Sequence, residues 1–399
     1  MTRHKTILFL HGPFMRTSRL LLMGLSSFAA EKGWQVLHFS PPKRPGRDYL
    51  QRLADSWNAL GIVEDCGVER SMPLPGRGFG LPFVCIDLNP LRMKSFAVQS
   101  SVAARRIGFV NADSELYVRM AAEELLRHDF AAYAYVSAYY RRHWSERRRE
   151  AFKDMVKASG GKFHAFDGIR QETGDAAAIR KLGNWLDSLP KPCGLLAAND
   201  RIAELVLFAA KRGGIAVPDM MCVIGIDDDE MLCESVSPPL TSIQADFSGG
   251  GRLAGRLLAD LAVGRAHAAG STLLYGAVGI AHRLSTRRLK REMPSVRATL
   301  EEIRRRALGR VSAADILPML GGSRRSAEKR FTAATGRSIQ EEIMEVRFEK
   351  VLSLLERGGT PLGMIADAAG FASPNLLQRQ FKARYGTTLS DYRKRLVRT

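Results

Sequence analysis

The sequence predicts two α/β lobes built on parallel sheets, followed by an all-α domain. From Lys5 to about Arg288, short apolar runs alternate with amphipathic segments, as strands and helices do in parallel α/β sheets. Roughly 290 residues are more than one such sheet usually takes, so two lobes are expected. The end of the chain instead carries one helical pattern twice, in the segments 316–336 and 365–386.

The strands are predicted from apolar runs that turn residues interrupt: TILFLH, WQVLHF, GIV, FVCID, RRIGFV, AAYAYV, KFHAF, GLLAAN and CVIGID. Helices are predicted between several of these runs, over Ser18–Lys32, Tyr49–Leu60, Met120–His128, Arg147–Ala158 and Arg201–Arg212. This alternation implies parallel sheets that are covered by helices on both faces.

Several predicted strands end in acidic or amide residues: Asp87, Asn111, Asp113, Asn199, Asp200, Asp227 and Asp228. Ligands of open α/β sheets bind at the carboxyl ends of strands, and two lobes can direct these ends into a shared cleft. Asp and Asn also cap helices and form turns, and this alternative stays open for each of them.

The charge of the chain points to a polyanionic partner. The formal net charge is +19 and the isoelectric point is about 10.1. Roughly half of the excess lies in residues 290–399, the concentration expected of a nucleic-acid-binding domain. Charge alone does not separate DNA from RNA or from a membrane surface.

The cysteines and the N-terminus indicate a cytoplasmic protein. The five cysteines form no CxxC pair and have no nearby histidine cluster, so neither a metal site nor a cofactor is predicted. Scattered thiols suit a reducing compartment. No secretion signal and no apolar run of about 20 residues are present, so no membrane partner is expected. Association with the nucleoid is the expectation for a DNA-binding protein of this kind.

The repeated pattern predicts two helix-turn-helix units, at about 312–334 and 361–385. In the first unit, Ser323 is a plausible N-cap and the next two turns present charged side chains. The candidate DNA contacts there are Ser323, Arg324, Arg325, Glu328 and Lys329. Arginine suits guanine or phosphate, and glutamate accepts from cytosine. Pro318 lies inside the preceding helix, where a kink is expected.

In the second unit, Ser373 is the predicted N-cap and Pro374 takes the first helical position, where its missing N–H has no cost. Asn375, Gln378 and Arg379 are expected to point outward, and Asn375 suits a bidentate contact with adenine. A helix over Ser338–Glu356 joins the units and spans roughly 29 Å. Successive major grooves recur about every 34 Å, so one chain could place both recognition helices on one face of DNA.

The alternative is a small helical interaction domain with solvated basic faces. Against it, GFASPNLLQRQFKARYGTTLSDYR resembles the signature of the AraC/XylS family of transcription regulators, over about residues 297–399. The resemblance implies DNA-facing roles for Arg325, Glu328, Lys329, Pro374, Asn375, Leu376 and Arg379. The sequence departs from the family pattern at Leu377, which replaces an aromatic residue, and at Leu389, which replaces the usual proline.

The segments VPDMMCVIGIDDD and PPLTSI resemble LacI/GalR-type effector domains, which have the fold of periplasmic sugar-binding proteins. LLAAND, HWSERRREAF and, as a closing strand, HRLST extend the resemblance over most of residues 5–286. The two resemblances together imply an effector domain at 1–286 and an AraC-type DNA-binding domain at 297–399. The charged segment between them, with one proline, is the predicted linker at 287–296.

By the same resemblance, Arg148, Asn199, Asp200, Asp227, Gln244 and Asp113 are the implied ligand-binding residues. Arg148 has other arginines around it and could instead be a surface residue. His11, Arg16 and Arg19 follow the first strand, and Arg19 is included among the candidates. Carboxylates and guanidinium groups suit the hydroxyls of a sugar.

The resemblances imply a sugar-sensing activator of catabolic genes, with xylose or a related sugar favoured as effector. The implied partners are double-stranded DNA, RNA polymerase and another copy of the chain. Three rival functions are a DNA-repair or other enzyme fused to a DNA-binding domain, a ligand-independent DNA binder and a transporter's solute-binding protein. The first needs an activated cysteine, and the last conflicts with the absent secretion signal.

Overall fold

The computed structural model describes residues 5–42, 48–67, 79–89, 106–138, 143–169, 176–265, 270–288, 293–309, 311–356 and 360–398. The chain divides into two compact units. The first comprises Met1–Val236 and Leu240–Thr286, and the second contains Arg287–Thr399. None of the described helices combines the length and apolar character that crossing a bilayer requires.

The first lobe of the first unit is a parallel sheet whose described strands are β1 (Thr6–Leu10), β2 (Gln35–Phe39), β3 (Ala59–Asp65), β4 (Phe83–Ile86), β5 (Ile107–Ala112) and β11 (Thr272–Tyr275). Their order is β11-β5-β4-β3-β1-β2, and each neighbouring pair is parallel. Strands β1 and β4 are wholly buried, because helices and loops cover both faces of the sheet.

The second lobe repeats this arrangement with β6 (Ala132–Ala138), β7 (Phe163–Ile169), β8 (Cys193–Ala197), β9 (Met221–Ile226), β10 (Thr241–Ala245) and β12 (Ala277–Ala281). The order is β12-β10-β9-β8-β6-β7, and β12 is antiparallel to β10. The segment HRLST, expected to form the closing strand, instead follows β12 as irregular chain.

Helices cover both sheets. The first lobe has α1 (Arg16–Glu31), α2 (Tyr49–Ser56) and α8 (Phe247–Ala262). The second lobe has α3 (Ser114–Leu126), α4 (His143–Ala158), α5 (Ala176–Ser188), α6 (Asp200–Arg212) and α7 (Glu230–Ser235).

Helices α1 and α8 pack closely because glycines face each other's backbone. A Cβ on Gly24 would lie 1.8 Å from the carbonyl oxygen of Ser248, and one on Gly251 would lie 1.9 Å from that of Leu21. Any side chain at either position would force the two helices apart.

Between the lobes the chain crosses after β5, after β10 and after β11. The Asp113 N–H donates to the Tyr275 carbonyl (2.9 Å), and the Asp246 N–H donates to the Gly276 carbonyl (3.0 Å). Asp113 and Asp246 also cap α3 and α8 with their carboxylates, which accept from Leu116 and Gly249 N–H groups. The three crossings therefore form one hydrogen-bonded hinge, defined by Asp113, Asp246 and Gly276.

The second unit is helical, with α9 (Pro294–Arg306), α10 (Ala313–Ile316), α11 (Arg324–Thr335), α12 (Ile339–Glu356), α13 (Leu362–Ala368), α14 (Pro374–Tyr385) and α15 (Leu389–Arg398). Its α9 begins two residues before the Val296 that the sequence predicts, and residues 289–292 of the predicted linker lie outside the described part of the chain. Leu377 and Leu389, the two departures from the family pattern, are both buried in the core around Phe348. The predicted fold class, two parallel-sheet lobes followed by a helical domain, is confirmed.

Candidate functional site

The strand orders locate a candidate cleft in the first unit. In each lobe the order reverses beside the first strand, between β1 and β3 and between β6 and β8. Open α/β sheets bind ligands outside the carboxyl ends of strands at such a reversal. At this edge of the first lobe, His11 follows β1 and Asp65 is the last residue of β3. In the second lobe, Ala198–Asp200 follows β8.

Arg148 is buried at this edge, which settles the surface alternative against it. Its side chain comes from α4 and is only 5% exposed as a residue. The Nη1 atom donates to the Ala198 carbonyl (2.6 Å), and the guanidinium lies over the rings of Trp144 (4.8 Å) and Tyr117 (5.4 Å). The buried Nε has no hydrogen-bond partner among the described residues.

Two carboxylates from opposite lobes lie within the electrostatic reach of Arg148. Asp87 follows β4 with φ of 54°, and accepts from the Ala112 N–H (2.7 Å) and the Tyr275 hydroxyl (2.6 Å). Asp227 follows β9 with φ of 110°. Burial raises the pKa of each carboxyl to about 6, and the positive charge of Arg148 opposes that rise.

Arg16 joins the two lobes directly. Its Nη1 atom, on the first-lobe helix α1, donates to the Asp227 carbonyl in the second lobe (3.0 Å). Arg19, the candidate predicted on the same helix, is exposed, and its Nη1 lies 3.4 Å from the Phe14 carbonyl. The structure therefore brings Arg16, Arg148 and Asp227 together and leaves Arg19 apart from them.

Asn199 and Asp113 serve as helix N-caps. The Asn199 side chain accepts from the Ile202 N–H (3.1 Å), and Asp113 caps α3 at the hinge. Gln244 donates to the Asp228 carboxylate (3.1 Å).

Asp200 is 2% exposed and accepts from the Ser242 hydroxyl and the Asp229 N–H. Burial, with the charge of Asp227 next, raises its pKa to about 8. One oxygen of Asp200 thus holds the loop that carries Asp227 directly. The other does so through Ser242 on β10, whose hydroxyl accepts from the Asp228 N–H (3.1 Å).

The structure places beside the candidate cleft several residues that are not among the predicted ligand contacts. Asp87 carries a sequence signal, because it is an acidic residue at the end of a predicted strand. Tyr275 and Tyr117 carry none, since Tyr275 ends a strand that is not predicted and Tyr117 has the pattern of an ordinary core residue. The Tyr117 hydroxyl donates to the Gly276 carbonyl (3.0 Å), so it ties the cleft to the hinge.

The raised pKa of Asp227 gives a prediction for the pH dependence of stability. A carboxyl with a folded-state pKa near 6 and an unfolded value near 4 is protonated preferentially in the native state. Its contribution to stability is therefore greatest below about pH 4 and is lost as the pH rises to about 6. Asp227→Asn removes this loss. As the pH rises from about 4 to about 6, the melting temperature of the variant should therefore increase relative to that of the wild type.

Thermal unfolding of both proteins over a pH series measures this difference. Asp154→Asn is the matched control, because Asp154 is exposed on α4. Parallel profiles for the wild type and Asp227→Asn would contradict the prediction.

A buried ionic cluster lies next to Asp227. Arg283 and Asp228 are 7% and 8% exposed, and the Nη1 of Arg283 lies 2.9 Å from the Asp228 carboxylate. Arg283 also contacts Glu234 through Nε and donates to the Leu240 carbonyl (2.9 Å). The cluster fixes the end of the first unit onto the loop that follows β9.

The second unit presents α11 as the first candidate recognition helix. Ser323 caps it by accepting from the Ser326 N–H (3.3 Å), as the sequence predicts. Arg324, Arg325 and Lys329 are exposed, and Glu328 is partly exposed, 3.7 Å from Arg324. Ala327 and Phe331 are buried on the opposite face.

Where a kink is expected, at Pro318, the α-helix is interrupted. Helix α10 ends after one turn at Ile316, and a 3-10 turn over Leu317–Leu320 follows. A proline in the helix interior removes one backbone hydrogen bond and clashes with the preceding turn.

The second candidate recognition helix is α14. Ser373 accepts from the Leu376 N–H (3.2 Å), and Pro374 takes the first helical position. Pro374, Asn375, Gln378 and Arg379 are exposed and Leu376 is partly buried, whereas Leu377 and Phe381 are buried. Gly370, with φ of 73°, passes the Leu308 carbonyl so closely that a Cβ would lie 2.7 Å from its oxygen.

Helix α12 connects the two helix-turn-helix units. Its Glu345 carboxylate accepts from Arg384 of α14 (2.6 Å) and lies 3.3 Å from Arg337, which follows α11. One carboxylate therefore links the chain segments that carry both recognition helices.

All five cysteines are buried thiols outside any disulfide. Burial raises the pKa of the Cys193 thiol to about 12 and that of Cys233 as well. Within the described ranges, no three His, Cys, Asp or Glu residues are grouped as metal ligands.

Comparison with known proteins matches each unit to a family. The periplasmic binding protein-like domain matches residues 122–286, and the helix-turn-helix domain matches residues 318–395. The xylose operon regulatory protein of Haemophilus influenzae is 26% identical over 288 residues, which cover 71% of this chain and 74% of the relative. That of Escherichia coli K12 is 28% identical, over 63% of this chain and 64% of the relative.

A solved structure described as the xylose-binding transcription activator xylR matches 98% of both chains with a TM-score of 0.61 and 22% identity. Its full-length match confirms the fold of both units in one chain. The chain therefore combines a periplasmic binding protein-like domain with a helix-turn-helix domain, and it is similar to the DNA-binding transcription regulators that join a LacI/GalR-type effector domain to an AraC-type helix-turn-helix domain.

Proposed function

We propose that the chain is a sugar-responsive activator of catabolic genes, and that its effector is xylose or a closely related pentose. The observation that carries this proposal is the buried Arg148, whose Nε has no partner among the described residues and whose charge acts on Asp87 and Asp227. The names of the two bacterial relatives, both xylose operon regulatory proteins, support the choice of sugar.

The chemistry of the site suits a polyhydroxylated ligand. Sugar hydroxyls can donate to the carboxylates of Asp87 and Asp227 and accept from the Nε of Arg148. Such bonds supply partners for buried charged groups, which are costly to leave without them. Asn199, Asp200, Gln244 and Asp113 support the ligand through the loops and caps that they hold, and Arg19 remains a candidate outside this cluster.

The ligand would act on the position of the lobes. Arg16 and Asp227 join the lobes in the structure, and the hinge at Asp113, Asp246 and Gly276 allows them to rotate. A sugar shifts this equilibrium only by binding the closed state more tightly than the open one. In a homodimer, the change would alter the spacing of two DNA-binding domains and so their access to DNA half-sites and RNA polymerase. The proposed location is the cytoplasm, in association with the nucleoid.

A thermal-shift screen of the full chain tests the proposal. We expect D-xylose or a related pentose to raise the melting temperature, because a ligand that binds only the native state stabilises it. Glucose and galactose serve as size controls. If no sugar raises the melting temperature, the sugar-binding proposal is wrong.

For the DNA-binding surface we propose that Ser323, Arg324, Arg325, Glu328 and Lys329 contact one major groove and Ser373, Pro374, Asn375, Leu376 and Arg379 the next. Exposed basic side chains on two capped helices support this assignment. Arg379→Ala should weaken specific binding by about 1–3 kcal/mol, because it removes a base contact.

Binding titrations with a selected duplex and with a non-specific duplex measure the effect of Arg379→Ala. Lys382→Ala is the control, since Lys382 is exposed at the other end of α14 and its loss removes the same charge. An equal loss in both variants, on both duplexes, would refute base reading by Arg379.

The rival enzyme hypothesis finds little support in the five cysteines. An alkyl-accepting cysteine must be accessible and easily ionised, whereas all five are buried. A ligand-independent DNA binder predicts that no sugar alters either melting or DNA affinity, so the same screen separates it from the proposed function.

A further inference from the structure

The two helix-turn-helix units hold their turns in different ways. In the second helix-turn-helix unit, the Gly370 N–H donates to the Asp367 carbonyl (3.1 Å) and the Phe371 N–H donates to the Ala366 carbonyl (2.9 Å). The Phe371 ring is 4% exposed and packs 5.7 Å from the ring of Phe348. Backbone bonds and an apolar anchor thus fix this turn.

The first helix-turn-helix unit lacks this anchor. Its N-cap Ser323 follows Gly321 by two positions, whereas Ser373 follows Gly370 by three, and glycine stands at position 322. Gly321 and Gly322 have φ of 63° and 79°. The Gly321 N–H donates to the Pro318 carbonyl (3.2 Å), and the preceding helix has already been shortened by the proline.

Arg330 holds the turn of the first helix-turn-helix unit. Its Nη2 donates to the carbonyls of Leu320 (2.7 Å) and Gly321, and its Nη1 donates to the Ser326 hydroxyl (2.8 Å). One side chain on the recognition helix α11 thereby binds both the end of the 3-10 turn and the turn glycine. The helix-end carbonyls that the irregular backbone leaves open find their partners there.

The second helix-turn-helix unit has a glutamine at the position that corresponds to Arg330. Arg330 immediately precedes the buried Phe331, and Gln380 immediately precedes the buried Phe381. No hydrogen bond from Gln380 to its turn is found among the described residues, and its buried Oε1 has no partner there. The same position on the two recognition helices therefore has two different roles.

We propose that Arg330 is a positioning residue for DNA reading, which sets the orientation of α11 and so determines the specificity of the first unit. This inference rests on the proposed DNA binding. Arginine suits the role because its planar fork donates to several acceptors at once, whereas lysine offers a single point charge. The charge of Arg330 is used inside the protein, so its loss should affect base selection more than general affinity for DNA.

Selection of duplexes from a randomised library by the full-length protein tests the proposal. The wild type should enrich a motif with two subsites, and Arg379→Ala identifies which of them belongs to the second unit. Arg330→Met should reduce discrimination at the first subsite by about tenfold or more, comparable to the loss of one base contact. Gln380→Met is the matched control and should preserve both subsites.

Selectivity at the second subsite in Arg330→Met shows that the domain is still folded. Arg330→Lys should lose part of the first-subsite discrimination, because lysine can reach one carbonyl but not the whole set. Full discrimination at the first subsite in Arg330→Met would overturn the proposal, as would loss of both subsites in both variants.

A uniform loss of affinity in Arg330→Met, with a smaller salt dependence and full rescue by lysine, would assign Arg330 to a phosphate contact and also overturn the proposal. A wild-type chain that enriches no duplex would instead refute the proposed DNA-binding function itself.

Discussion

Replacing Arg283 with methionine is expected to lower the free energy of unfolding of the effector domain by about 3–5 kcal/mol. The guanidinium lies in a buried cluster with Asp228, Glu234 and the Leu240 carbonyl. Its removal leaves the Asp228 carboxylate buried without a cation, and an unpaired buried charge costs more than the pair contributes.

Urea unfolding of the full chain, followed by tryptophan fluorescence, measures this loss. The four tryptophans lie in the effector domain, so unfolding of the DNA-binding domain does not contribute to the signal. They are Trp34, Trp57, Trp144 and Trp185. Arg265→Met is the control, because Arg265 forms an exposed pair with Asp260 and should contribute under about 1 kcal/mol.

The double variant Asp228→Asn with Arg283→Met should recover part of the stability, since it removes the stranded charge as well as its partner. A loss no greater than that of Arg265→Met would show that the cluster is not a buried ion pair in solution.

Replacing Arg148 with methionine is expected to weaken sugar binding by about 100-fold or more. The substitution keeps a similar volume but removes the cation that opposes the raised pKa of both Asp87 and Asp227. The two carboxyls then become more readily protonated, and the donor proposed to bind a sugar hydroxyl is lost as well.

Calorimetric titration with the pentose that gives the largest thermal shift measures this change. Arg147→Met is the matched control: Arg147 is the neighbouring residue on α4, but its pair with Glu115 is exposed. DNA affinity without sugar should be the same in all three proteins. Normal sugar binding by Arg148→Met would remove Arg148 from the proposed site.

The fold class can be predicted because its signals are local. Alternating apolar runs identify most of the strands of both lobes, and capped basic helices mark the two helix-turn-helix units. Helix α8 escapes prediction, since the run Gly249–Gly251 has low helix propensity. The structure explains that run: Gly251 lies against α1, where only a residue without a side chain fits.

The candidate site is less predictable, because it depends on helix phase and on distant segments. Helix α1 begins at Arg16, two residues before the predicted start, and Met15 at its N-cap makes no side-chain capping bond. Without a start signal, sequence cannot say whether Arg16 or Arg19 points into the cleft. The bond from Tyr275 to Asp87 joins positions 188 residues apart, and no local pattern predicts such a pair.

The link through Glu345 has a consequence for promoters. Because one carboxylate of α12 binds Arg337 and Arg384, the two recognition helices are expected to move as a rigid body. Each base pair of B-DNA rotates the groove by about 35°. A single inserted base pair between the two subsites would therefore turn one of them away from its helix. Because the two recognition helices move together, neither can rotate to restore the contact. Operators of this regulator should tolerate base changes better than insertions or deletions at their centre.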